Sequence, residues 1–423
     1  MNSCLSNKEF DNSMNNPEIL SIERRPLEVL FSMGEIAPVN SGSIVYLDEY
    51  LILETGKQKH EIINQWFNNL PVISLIIHTV LGSIAVTTIP MFSKDLYSHQ
   101  EELVRKVIDS LKVMGHFGAK LVSLTGTIPS ATDYGQKIIS NSAYQESKLP
   151  CITTGHETTT ATVVMTIEKI LKIANRNIEN ETIGYLGLGS VGTAALKLMV
   201  KTLPFPQELI LCDLYSKRNE LKAIQQDLIN RFNFDKKITI VESSQTIPDE
   251  FYDSTFIVGA TNVPDILDIS KLKPGTLIVD DSGPHCFDSQ QAIARLEEKN
   301  DILFTEGGVL NLVPPYKCIL YIPNFVEKSL TEEQKRNVLP YNPSKITSCI
   351  LSGLLISQFE ELKSTVGKTD IDMSFKNYKK LKELGFTAAN LHCGDYLICE
   401  QTINCFRNNT HGSGDAQITQ INS

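Results

Sequence analysis

The chain has 423 residues, 42% of them apolar and 21% charged, with a formal net charge of −10, a composition typical of a folded protein of two or three domains. The acidic balance argues against nucleic acid or an anionic membrane as a partner over the whole surface. Nine cysteines, an odd number with no C-x-x-C pair, read as reduced thiols of a cytoplasmic protein, and the N-terminus lacks the basic start and apolar core of a signal peptide.

Residues 1–26 are polar, rich in Asn and Ser, and read as a disordered tail. Residues 27–155 read as an N-terminal α/β substrate domain. Its short apolar runs, Leu27–Phe31, Ser43–Leu47 and Leu51–Leu53, are expected to be small strands. Leu70 to Phe92 is apolar but carries Pro71, Gly82, Pro90 and several threonines, which suits buried strands better than a membrane helix. Ser83–Thr88, a helix opened by a Ser98/Glu101 capping box, and Ala119–Leu124 form a βαβ unit with parallel strands. The exit from that unit holds Thr125, Ser130, Thr132 and Tyr134, which could equally line a ligand site or simply make turns. T-T-G-H-E-T-T-T then opens a helix through Val163, Ile167 and Leu171. His156 reads there as a loop residue of a linker helix rather than as a catalytic group.

Residues 156–330 carry the strongest local signal. Ile183–Leu186 leads into Gly187, Gly189, Ser190, Val191 and Gly192, and then into an amphipathic helix: strand, glycine turn, helix. That order places a pyrophosphate at the helix N-terminus. The next strand ends at Asp213, positioned to hold a ribose 2′-hydroxyl. This favours NAD(H), with NADP(H) the alternative if Lys217 and Arg218 receive a phosphate. Strands follow at 238–241, 255–259, 276–280 and 302–304, so the domain is expected to be a Rossmann-type doubly wound parallel sheet. Ala260 and Thr261 fall where the chain passes the nicotinamide half of a dinucleotide. Gly307 and Gly308 permit close approach to a ligand and offer amides to a developing oxyanion. Residues 331–405 read as a C-terminal helical segment and 406–423 as a flexible tail.

Three cysteines compete as nucleophile. Cys212 would lie by the adenosine. Cys286 follows a strand at the cofactor end of the sheet, beside His285. Cys349 sits in an apolar helix. Cys393, Cys399 and Cys405 match no common zinc spacing, so no metal is expected.

T-T-G-x-x-T-T at 153–159, the glycine turn, F-I-V-G-A at 256–260, L-I-V-D-D-S-G-P at 277–284, E-G-G-V at 306–309 and the helix with Cys349 together resemble the cyanobacterial long-chain acyl-[acyl-carrier-protein] reductases over residues 35–390. The resemblance implies reduction of a fatty acyl thioester to an aldehyde through an acylated cysteine at the position of Cys349. The substrate would be carried on acyl carrier protein or coenzyme A. From the residues alone, two other readings remain. One is an NAD-dependent dehydrogenase of an amino, imino or hydroxy acid using His285 or His156, and the other is a non-catalytic dinucleotide-binding protein.

Overall fold

The computed structural model describes residues 20–244, 246–338 and 342–411. It divides into two compact units. One comprises the described residues up to Thr158 together with Leu310–Asn377. The other comprises Thr159–Val309 together with the described residues from Tyr378 onward.

The first unit is built on a seven-stranded mixed sheet. Its strands are β1 (Leu20–Glu23), β2 (Ser41–Leu47), β3 (Val72–Thr79), β4 (Gly82–Phe92), β5 (Leu121–Leu124), β6 (Cys151–Thr153) and the strand Lys317–Tyr321. β4, β2, β5 and β6 run parallel, with β2 inserted between the two strands expected to form a βαβ unit. β3 pairs antiparallel with β4, so Leu70–Phe92 is the hairpin of buried strands that its composition implied.

Alternation along β2 and β5 sorts their two faces. Ile44, Val122 and Leu124 join one core with Val107, Leu111 and Met114 of the helix Gln100–His116. On the opposite face the hydroxyls of Ser43 and Ser123 donate to the carbonyls of Ile350 (3.0 Å) and Cys349 (2.6 Å). These small polar side chains let the helix Ser348–Gln358 lie close against the sheet.

The second unit contains a six-stranded sheet, with strands β7 (Thr182–Leu186), β8 (Glu208–Leu214), β9 (Lys237–Ser243), β10 (Phe256–Gly259), β11 (Thr276–Asp280) and β12 (Ile302–Glu306). Every pairing is parallel, in the order β12-β11-β10-β7-β8-β9. This is the doubly wound Rossmann order, and the strands read from the sequence are all present. β7, β10 and β11 are almost wholly buried, as expected for parallel strands covered on both faces.

Several expectations change. Leu20–Glu23 is a strand paired with Lys317–Tyr321 rather than tail, because Leu20 is buried in the pairing; residues 1–19 lie outside the described residues. Leu27–Ser32 and Tyr50–Thr55 are short helices rather than strands. The helix Gln100–His116 has no side-chain cap, because the Ser98 hydroxyl bonds to Asp95 O and His99 Nδ1 instead. Residues 331–405 do not form one segment: the chain up to Asn377 belongs to the first unit and the remainder to the second. The helix Glu400–His411 replaces the start of the expected C-terminal tail, whose remaining residues 412–423 are not described. No helix among the described residues is long and apolar enough to cross a membrane.

Candidate functional site

In the second unit the chain reverses its winding between β7 and β10, and the glycine turn lies at that switch point. Gly187 has φ +87°, and a Cβ there would meet Ala260 O at 2.6 Å. A Cβ on Gly192 would meet Gly187 O at 2.1 Å. Those two glycines let strand, turn and helix close on one another. A Cβ on Gly189 meets nothing within 4 Å, so its outer side is open. Ser190 and Val191 follow as the first residues of the helix Ser190–Thr202, whose N-terminal amides suit a pyrophosphate. The turn therefore fits a dinucleotide by its shape as well as by its spacing.

Asp213, at the end of β8, is tied into the same turn. Its carboxylate accepts from Leu188 N (2.8 Å), from Leu214 N (2.7 Å) and from Lys217 Nζ (3.0 Å). Arg218 is engaged by Glu242 at 2.7 Å, so both cations expected to receive a 2′-phosphate are already paired with carboxylates. Asp213 should therefore set the cofactor preference. The unaltered protein is expected to bind NADH at least roughly tenfold more tightly than NADPH, about 1.4 kcal/mol. Asp213→Asn, which keeps an acceptor for Leu188 N while removing the charge, should erase most of that ratio in fluorescence titrations. Tighter binding of NADPH by the unaltered protein would show that Lys217 prevails.

After β10, Ala260 N donates to Leu186 O (2.8 Å) and Thr261 N to the Ser282 hydroxyl (3.1 Å), fixing these residues beside the turn. Gly307 departs from expectation. Its N–H is committed to Asp280 O at 2.9 Å and its carbonyl to Thr166, so it is not an oxyanion donor. Gly308, next in the chain, is half-buried.

Cys286 and His285 are corrected as catalytic candidates. Cys286 is fully buried, and burial beside Asp280 pushes its thiol well above the ordinary range, so it cannot supply a thiolate to a substrate. Cys212 is buried as well, its thiol pushed up to about 12. His285 Nδ1 lies 3.0 Å from Asp280, and chiefly through that bond its pKa is raised to about 12, with Cys393 and Glu306 adding to it. Its Nδ1 is committed to Asp280 and its Nε2 faces Cys393 and Glu306, which leaves it poorly placed as a base toward substrate.

Cys349 stands differently. It is the second residue of the helix Ser348–Gln358, in the first unit, and is half-buried rather than enclosed. The dipole at the start of a helix favours negative charge on its sulfur. The loop leaving β6 passes against it: at Gly155 (φ +73°) a Cβ would lie 3.3 Å from Cys349 Cα and 3.0 Å from the Ser123 hydroxyl. Tyr46, near the end of β2, lies close enough to Cys349 for the two groups to interact electrostatically. Its hydroxyl accepts from Thr127 N at 3.3 Å, and burial raises its pKa. No motif or spacing points to Tyr46. Cys349 thus joins residues from the C-terminal ends of β2, β5 and β6, the edge where open α/β sheets hold ligands.

Around this edge Thr125 and Thr132 donate to backbone carbonyls, Ser130 pairs with Tyr97, and Tyr134 meets the ring of His156 edge-on at 5.8 Å. His156 is a buried helix residue rather than a loop residue. Its Nδ1 has no hydrogen-bond partner, and burial lowers its pKa to about 4. The unfolded chain takes up a proton near the ordinary value of 6.5 while the folded one resists until about 4. This histidine therefore leaves stability intact above pH 6.5 and lowers it progressively as pH falls toward 4, by about 3 kcal/mol at most. His156→Gln should flatten the difference between denaturant unfolding free energies at pH 7 and pH 4. Parallel losses in variant and parent would remove His156 as the cause.

Neither a family model nor a curated protein matches this sequence. Among solved structures, it is similar to an L-tryptophan dehydrogenase from Nostoc punctiforme (TM-score 0.32, 14% identity, 78% of this chain and 76% of that one). It is also similar to an NAD+-bound 3-phosphoglycerate dehydrogenase in Entamoeba histolytica (0.27, 13%, 76% and 96%). A third is a short chain alcohol dehydrogenase from E. coli complexed with NADH (0.26, 20%, 36% of this chain). The chain spans under half, 42%, of that last protein. These likenesses are weak, and the assignments of function rest on the residues themselves.

Proposed function

We propose that the chain is an NAD(P)H-dependent oxidoreductase and, more finely, a reductase that converts an acyl thioester to an aldehyde through a thioester on Cys349. The observation that carries this reading is the place of Cys349: half-buried at a helix N-terminus, beside the C-terminal ends of the parallel strands of a mixed sheet, while Cys212 and Cys286 are enclosed with raised pKa values. The glycine turn and Asp213 support the cofactor half of the proposal.

In the proposed reaction the Cys349 thiolate attacks the acyl carbonyl, forming a new carbon–sulfur bond. The carrier, an acyl carrier protein or coenzyme A, leaves as its own thiolate. Tyr46, kept protonated by burial and accepting rather than donating at Thr127, offers its proton to the carbonyl oxygen as charge develops there. When bound, the reduced dinucleotide supplies hydride to the acyl carbon. Release of the aldehyde would break the bond to Cys349, return the sulfur as thiolate and hand the proton on the oxygen back to Tyr46.

The test is intact-mass and peptide mass spectrometry after incubation with an acyl thioester in the absence of reduced cofactor. The acyl group should appear on Cys349, and adding NADH or NADPH should discharge it as aldehyde. Capture on a different cysteine would defeat the assignment. A second reading, a dehydrogenase without a covalent step, is favoured by one observation: the buried His156, its pKa lowered and its Nδ1 without a hydrogen-bond partner, near the same sheet edge. It would be preferred if turnover persisted with all accessible thiols blocked.

A further inference from the structure

The second unit gathers a group of side chains that the proposed reaction does not use. His285 follows β11, Glu306 ends β12, and Cys393 belongs to a two-stranded hairpin, His392–Cys393 with Tyr396–Leu397, that lies alongside β12. One ligand atom from each of His285, Glu306 and Cys393 falls within 4.8 Å of the other two. His285 Nε2 lies 3.7 Å from Cys393 Sγ and 3.6 Å from Glu306 Oε1. A tetrahedral zinc ion bound at its usual nitrogen, oxygen and sulfur distances sets its ligand atoms roughly 3.3–3.6 Å apart. Both separations are close to the edges of that tetrahedron; the 3.6 Å between nitrogen and oxygen is too long for an ordinary hydrogen bond, while the 3.7 Å to sulfur is also within hydrogen-bond reach.

The supporting contacts take the form found around bound metals. His285 Nδ1 is tied to Asp280 at 3.0 Å, which turns Nε2 toward the other two groups. Asp280 is itself buried and fixed by the amides of Ser282 and Cys286, both at 3.1 Å. His392 is arranged in the same way, with Nδ1 on Asn390 O at 2.8 Å and Nε2 3.5 Å from Glu306 Oε2. Gly394 N donates to Glu306 at 2.6 Å, and His392 N donates to the Thr305 hydroxyl at 3.2 Å, which anchors the hairpin beside the carboxylate. Glu306 ends β12 and Cys393 lies in a short hairpin, while His285 sits in the loop after β11 and is held there by its bond to Asp280.

We infer that His285, Glu306 and Cys393 form a binding site for a divalent transition metal, with zinc the best match to one imidazole, one carboxylate and one thiolate. His392 orients Glu306 in this site, and the fourth position is open to water or to a small ligand. The mixed nitrogen, oxygen and sulfur donors disfavour magnesium and calcium, which take oxygen ligands. Binding requires the Cys393 thiolate and an unprotonated His285 Nε2, so protons are released to solvent as the ion enters. The site is independent of the acyl-thioester reading, since none of its residues belongs to the Cys349 edge.

The experiment uses the full chain without a histidine tag, stripped with a chelator and titrated with Co2+, then with Zn2+. One equivalent of Co2+ should bind, giving the visible bands of a tetrahedral ion and a thiolate-to-cobalt charge-transfer band, and Zn2+ should displace it. Cys393→Ser should abolish the charge-transfer band, while Cys399→Ser should leave it unchanged. Should Cys393→Ser fail to fold by circular dichroism, His285→Gln at the rim of the cluster serves instead and should weaken Co2+ binding roughly tenfold or more. Absence of saturable Co2+ binding, a charge-transfer band that survives in folded Cys393→Ser, or unchanged affinity in folded His285→Gln would each overturn the site.

Discussion

Cys349→Ala is expected to bind dinucleotide as the unaltered protein does, to capture no acyl group and to lose reductase turnover by roughly four orders of magnitude or more. The size of the effect follows from the role: without the sulfur no enzyme thioester forms at this position. Cys286 is enclosed with its thiol pushed well up, and Cys212 is enclosed near 12. Folding should survive the substitution, because Cys349 is half-buried and its contact with Ser123 is made through the backbone carbonyl, which alanine retains. Steady-state assay of aldehyde formation, with dinucleotide affinity measured separately, checks both halves. Full turnover in the alanine variant would end the covalent reading and leave the coarser oxidoreductase proposal standing.

The two competing cysteines show where a sequence stops being legible. On topology alone Cys286 had the better position, following a strand at the cofactor end of a parallel sheet. What removes it is its immediate packing: a Cβ on Gly259 would come within 2.8 Å of its sulfur, and its own amide is bound to Asp280. No periodicity encodes those contacts. Cys349 was singled out by the family resemblance, although an apolar helix also suits an inert buried cysteine. The place proposed for it as nucleophile depends on that helix starting at Ser348, one residue before it, and on serines of β2 and β5 that hold the helix against the sheet.

The Rossmann sheet was legible because its determinants are local: apolar runs of strand length, glycines at fixed spacing and a carboxylate at the end of the second strand. The metal cluster was not, for the opposite reason. Its ligands come from positions 285, 306 and 393, and the only short-range thiol pattern, Cys393, Cys399 and Cys405, points elsewhere. Cys399 bonds to Thr402, and only Cys393 of the three joins the cluster. β1 was missed in the same way, because its partner strand lies almost three hundred residues further along the chain. Asp213 was legible in part. Its place at the strand end follows from spacing, but its bond to Leu188 N, which makes it a brace of the glycine turn, does not.

The glycine turn yields the second large effect, because two of its glycines should fail in different ways. Gly189→Val is expected to fold normally and to lose dinucleotide affinity by roughly 100-fold or more, about 3 kcal/mol. Gly189 has φ −70° and ψ −157°, which valine adopts readily, and its Cβ would meet no protein atom within 4 Å. The new side chain therefore occupies only the space that a pyrophosphate would need. Gly192 has no such freedom. A Cβ there would lie 2.1 Å from Gly187 O, a backbone atom that cannot swing aside, so even Gly192→Ala should force strand and helix apart and destabilise the fold by about 1–3 kcal/mol. Thermal unfolding without ligand separates the two: the Gly189→Val midpoint should stay near that of the parent, and the Gly192→Ala midpoint should fall. Cofactor titration of folded protein then completes the comparison. Retained affinity in Gly189→Val would mean that the open side of the turn is not where the pyrophosphate sits, whereas an unshifted midpoint in Gly192→Ala would mean that the turn can relax around a methyl group.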